Sequence, residues 1–174
     1  MSKAGYAPQT ETFTTSGGLV TKEKLLALEA SSGKILWEKT AYDGPVFDAR
    51  HRRSTFAGPS AITDGKLVFA YFGPEGLYAF DFDGKPLWNV VEKFHTAGLG
   101  TGTSPVLFGN TVIIQRDQDD KTSVVVAYDK TTGKEVWKTS RPVNITWTTP
   151  ALVTVNGRTE VVTNGSEHII GYDA

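Results

Sequence analysis

Apolar residues along this chain come in short runs closed by polar or glycine-rich breaks, and no stretch keeps the 3.6-residue spacing of an amphipathic helix. The clearest series lies between Gly58 and Trp88. Residues 60–63 form one run, Asp64-Gly65 breaks it, and residues 67–72 form the next. Gly73-Pro74-Glu75-Gly76 turns the chain, residues 77–81 follow, and Asp83-Gly84 leads into 86–90. Each run has the length and the β-branched or aromatic content of a strand, and each break has residues that a tight reversal needs. The same series predicts strands over 106–108, 111–116, 124–129 and 135–138. A third series passes through 151–155, the Asn156-Gly157 turn, 160–163 and 168–172. Ahead of them, 12–15, 25–29 and 35–38 predict a set whose innermost strand is missing or atypical, with Tyr6-Ala7-Pro8 as a stub of it.

The series are copies of one unit. AYDKTTGKEVW ends at Trp137, ALEASSGKILW at Trp37 and AFDFDGKPLW, one residue shorter, at Trp88. Gly171-Tyr172-Asp173-Ala174 opens a further copy, and Pro59, Pro105 and Pro150 each precede an apolar run. A period of about 50 residues built from short strands indicates propeller blades rather than helical repeats. The expected fold is therefore all-β: a β-propeller of four-stranded antiparallel blades, with three and a half to four blades in the chain. The blades fall at about 12–39, 58–90, 103–138 and 148–174, after a tail or stub strand over 1–11.

The pattern A-x-D-x-x-T-G-K-x-x-W resembles the tryptophan-docking repeat of the pyrroloquinoline-quinone-like, or quinoprotein-type, β-propellers. Ala127, Asp129, Thr132, Gly133, Lys134 and Trp137 carry it in full, while Glu29 and Ser32 replace Asp and Thr in the first copy. GLYAFDFDGKPLW and WTTPALVTVNG are also similar to repeat proteins of this superfamily from environmental bacteria. The resemblance implies a structural role for Trp37, Trp88, Trp137, Asp81, Asp129, Gly33, Gly84 and Gly133. Physical chemistry agrees. Glycine suits a positive-φ turn position, the acid two residues before the turn begins accepts backbone N–H groups, and the indole packs over the turn. The family includes dehydrogenases and assembly scaffolds, so it implies a fold more narrowly than an activity.

Four antiparallel strands per blade send the links between second and third strands, and between blades, to one face. The longer links, 39–57, 91–103 and 139–148, belong there, and long loops on a rigid scaffold are where function concentrates. Arg50, His51, Arg52 and Arg53 form a run suited to a carboxylate or phosphate, set against the simpler role of a solvated loop paired with Asp43 and Asp48. His51 and His95 are the candidate general bases. Asp117, Asp119 and Asp120 offer hard oxygen ligands of the kind calcium takes, without the glycine and distal glutamate of an EF-hand loop. A charged hairpin loop that keeps the chain soluble explains the same residues. No Gly-x-Ser-x-Gly elbow exists, which removes a serine hydrolase of that type.

A net charge of −1 gives no electrostatic footprint for nucleic acid, and the chain has no cysteine for a disulfide, a thiolate site or a nucleophile. The start, MSKAGYAPQTETFTT, lacks the apolar run of a signal peptide, and nothing approaches a membrane span. The resemblance nonetheless implies a periplasmic or secreted setting. It also raises the quinone cofactor, which family dehydrogenases hold on a tryptophan platform with calcium and a catalytic aspartate. Trp147 or Trp37 would be the platform, but Trp37 is already accounted for by docking and the blades are too few to surround a cofactor. Calcium is the cation to consider; the quinone is not favoured. Too few blades for closure also leave open edges, which predicts a homodimer closing one ring, or the missing blades of a longer chain. The expected function is a propeller-type module that binds a small molecule or protein, or acts as a scaffold, in an oligomer. The alternative is an enzyme assembled in that oligomer: a cation-dependent, lactonase-like hydrolase, or an oxidoreductase using the quinone.

Overall fold

A computed structural model describes the backbone over residues 4–15 and 18–174, and side chains from residue 19 onward. Among the described residues, fourteen strands form four antiparallel sheets, two of three strands and two of four. The chain divides into two compact units, residues 1–100 and 101–174.

The first unit holds β1 (Ala4–Thr15), β2 (Gly18–Glu29) and β3 (Ile35–Pro45) in one sheet. Its second sheet is a meander of β4 (Ile62–Thr63), β5 (Leu67–Tyr71), β6 (Leu77–Asp81) and β7 (Pro86–Val90). The first sheet differs from the sequence expectation. β1 begins at Ala4 rather than Thr12, taking up most of the segment read as a tail or stub, and pairs with β2 from Ala4↔Glu29 to Thr15↔Gly18. β3 continues through residues 39–45, read as loop, because β2 offers a ladder as far as Val20↔Pro45. An edge that finds a partner for each N–H and C=O has no reason to stop where the apolar run stops. Leu25, Val68, Ala70, Phe72, Tyr78 and Phe80 form the core, with Trp37, Ala41 and Tyr42 packed against it.

The second unit holds β8 (Val106–Phe108), β9 (Thr111–Arg116), β10 (Val124–Asp129) and β11 (Glu135–Ser140). β12 (Ala151–Val155), β13 (Arg158–Asn164) and β14 (Ile169–Asp173) make the last sheet. Ile113, Val125, Ala127 and Val161 are its core, with Val106, Phe108, Trp137 and Tyr172 against them.

A β-bulge recurs at one place in the repeat. Ala27 faces Trp37 but Leu28 faces Ile35; Ala79 faces Trp88 but Phe80 faces Pro86; Ala127 faces Trp137 but Tyr128 faces Glu135. The extra residues, Leu36, Leu87 and Val136, are each exposed. One added residue bends the outer strand and re-aims the side chain that follows it, which here is the tryptophan.

Candidate functional site

Gly33, Gly84 and Gly133 all have positive φ, between 71° and 77°. The carboxylate of Asp129 accepts the N–H groups of Thr131 and Thr132, and that of Asp81 accepts those of Asp83 and Lys85. The Thr132 N–H and hydroxyl lead the contacts that hold Asp129 below the usual carboxylate range. Trp37 crosses to the neighbouring sheet: its Nε1 donates to the Phe82 carbonyl at 2.9 Å, and its ring lies so close to Gly84 that a Cβ there would meet it at 2.8 Å. Trp88 instead meets Phe69 of its own sheet, centroid to centroid at 5.9 Å, and Trp137 rests on the second core.

In the first unit, the long link and two neighbouring segments gather polar groups. Asp48 accepts the Thr96 N–H, the Thr96 hydroxyl and the Ala49 N–H, and the His95 Nδ1 lies 3.6 Å from it. Burial pushes the Asp48 carboxyl up, but these donors outweigh it and hold the carboxyl below its ordinary value. His95 stacks on Phe47 at 5.1 Å, and Lys93 sits over the same ring at 5.0 Å. Beneath them Glu75 is only 1% exposed. Its Oε1 accepts the Phe47 N–H at 3.2 Å while its Oε2 is buried with no partner. Burial raises its pKa, against the lowering effect of the Phe47 N–H and Lys93. Tyr78, which donates to the Glu75 carbonyl, is pushed up by burial to about 12.

The basic run does not act as one cluster. Arg50 lies half-buried with its guanidinium 5.0 Å over Phe56, whereas His51, Arg52 and Arg53 are exposed. His51 Nδ1 accepts the Arg53 N–H, so the two candidate histidines engage different partners.

The acidic run takes a different role from the one the sequence proposed. Asp117 is fully buried and forms an ion pair with an equally buried Arg141, Nε to Oδ1 at 2.6 Å. Arg141 also donates to Thr163 and, at 3.1 Å, to the Tyr172 hydroxyl. Asp117 Oδ2 receives Gln115 Nε2 at 2.7 Å and the Thr146 hydroxyl. Asp119 accepts the Ile145 N–H and Asp120 the Thr122 N–H, both on the exposed rim. Among the described residues no group of three or more His, Cys, Asp and Glu side chains gathers to hold a metal ion. The three aspartates share a loop but point to three separate partners, so they form no ligand set. Beside this network a hollow of about 360 Å³ is lined by Lys121, Pro142, Val143, Asn144, Ser166 and Glu167 together with Arg141.

Residues 3–121 match the family described as outer membrane protein assembly factor BamB, a family of PQQ-like repeats. The chain belongs to this family. BamB from Moraxella catarrhalis superposes with a TM-score of 0.58 over 89% of this chain and 46% of that one, at 17% identity. Quinohemoprotein alcohol dehydrogenase ADHIIG from Pseudomonas putida HK5 gives 0.53 over 84% of this chain and 27% of that one, at 15% identity. The chain thus spans less than half the length of either protein. At these identities the likeness is one of fold, and it makes the four sheets of this PQQ-like chain a partial β-propeller. No curated protein matches it in sequence.

The residues present do not fit the quinone of the dehydrogenases. Trp147, a platform candidate, is 45% exposed and lies against Gly102, where a Cβ would meet it at 3.3 Å. Trp37 is bonded to the next sheet, and Asp117 is committed to Arg141.

Proposed function

We propose that the chain is a binding or scaffold module of the assembly-factor type, held in the periplasm or secreted, and that it works as an oligomer. The observation that carries this reading is the family match over residues 3–121. A second supports it: the charged groups that might have formed a reactive centre are engaged within the fold, Asp117 with Arg141 and Asp48 with Thr96. Outward on that side of the first unit stand the exposed Arg52 and Arg53, beside the exposed His51, Lys93 and His95. Exposed guanidinium groups such as Arg52 and Arg53 guide association with an acidic partner surface more than they stabilise the final complex. The partner is accordingly a protein with an acidic face, and an outer-membrane protein in the course of assembly is the class to try first. The test is immobilised chain against unfolded outer-membrane β-barrel proteins, with the wild type compared with an Arg52→Glu, Arg53→Glu variant. Saturable binding that slows in association in the variant and at higher salt supports the reading. Binding absent at all salt concentrations overturns it.

A further inference from the structure

We infer that the hollow of the second unit is a binding site for a small zwitterion of the α-amino-acid class. Its walls come from three loops, each with a described strand on either side: 117–123 between β9 and β10, 141–150 between β11 and β12, and 165–168 between β13 and β14. None of its residues takes part in the partner surface proposed above, so this site goes beyond that reading and is tested apart from it. At about 360 Å³ it has the size of a small-ligand pocket.

The walls are cross-braced. The Ser123 hydroxyl donates to the Val143 carbonyl at 2.8 Å, and the Arg141 N–H donates to the Ser123 carbonyl at 2.8 Å. Asp119 accepts the Ile145 N–H at 3.1 Å, and the buried pair of Asp117 and Arg141 ties the same two loops. The third loop closes on the second at Gly165, where a Cβ would meet Val143 Cγ1 at 2.5 Å. A pocket held in this way needs little ordering when a ligand enters.

The lining is chemically divided. Lys121 brings an ammonium, Glu167 a carboxylate, Asn144 an amide and Ser166 a hydroxyl, and Pro142 and Val143 add an apolar wall. Among the described residues none of those four polar side chains makes a hydrogen bond or an ion pair. The acids beside them differ, since Asp117, Asp119 and Asp120 all have protein partners. Lys121 and Glu167 thus line one hollow without pairing across it. A molecule that carries a carboxylate for the first and an ammonium for the second satisfies both, and charge-assisted bonds of this kind are the strong ones. Lys121 also holds φ at 66°, in the left-handed region that asparagine enters at less strain, as Asn156 does in the β12–β13 turn. Strain retained in a cavity wall is typical of functional positions.

Isothermal titration calorimetry of the whole chain with the common L-amino acids tests this. The expected result is saturable one-to-one binding of at least one of them. Its amine and carboxylic-acid analogues, each lacking one of the two charges, should bind roughly tenfold or more weakly. Lys121→Gln and Glu167→Gln, both at exposed positions, should weaken binding by a similar factor, with circular dichroism reporting that they are folded. Should either variant fail to fold, the comparison of analogues on the wild type still decides. An amino acid bound no more tightly than its singly charged analogues overturns the inference, as does binding that both folded variants leave unchanged. So does a panel in which nothing binds with a dissociation constant below ~1 mM.

Discussion

Asp117 and Arg141 sit 24 residues apart and are both sealed from solvent, each facing the other as its countercharge. Truncating one partner of such a pair leaves an uncompensated buried ion and costs about 3–5 kcal/mol. Asp117→Ala and Arg141→Ala should each lower the free energy of unfolding by that measure, and the double variant should lose less than the sum, which equilibrium unfolding in urea reads directly. Glu75 carries the opposite electrostatic sense. Its folded-state pKa is raised by burial, so the native protein keeps this proton to higher pH than the unfolded chain does. Stability should therefore fall as pH climbs from the ordinary carboxylate range through the raised value, and Glu75→Gln should flatten that slope in a pH series of unfolding curves. The carboxylate run 117–120 was visible in the sequence, but its meaning was not. Along the chain three acids fall within four positions; the guanidinium that claims the first arrives after another strand pair. Glu75 was hidden in a turn that glycine and proline already explained. The repeated glycines were legible because their cause is local: a positive φ is a property of the turn itself.

At the scale of the element, the same turn occurs in two settings that separate its components. Gly33 and Gly84 share a positive φ, yet a Cβ at Gly33 meets nothing within 4 Å while one at Gly84 meets the Trp37 ring at 2.8 Å. Gly33→Ala should cost only the conformational strain, about 1–2 kcal/mol. Gly84→Ala should cost that and a further ~1–3 kcal/mol for displacing the indole. Thermal denaturation of both variants gives the difference, and equal losses would mean that the indole contact is worth nothing. Strand cores such as 77–81 and 124–129 were readable because apolar runs and turn residues coincide there. The ends of β1 and β3 were not, because polar backbone extends for as long as a neighbouring strand offers hydrogen bonds. The bulge also escaped: an exposed Leu36, Leu87 or Val136 looks like any other member of an apolar run.

For the whole molecule, the oligomeric reading makes stability a function of concentration. The thermal midpoint should rise as the chain is concentrated from ~1 to ~100 µM, since only the folded state associates. A midpoint that stays level across that range counts against self-association. The all-β repeat class was legible because the period of about 50 residues is long, regular and punctuated.

The bond from Trp37 to Phe82 also sets an order in time. It joins residues 45 positions apart, so the first sheet cannot complete its packing until the second has been made. At ~5–20 residues per second, a growing chain on the ribosome waits ~2–9 s for that turn. Until then the first sheet lacks the cover that Val68, Phe72 and Phe80 give to Leu25 and Trp37 in the finished fold.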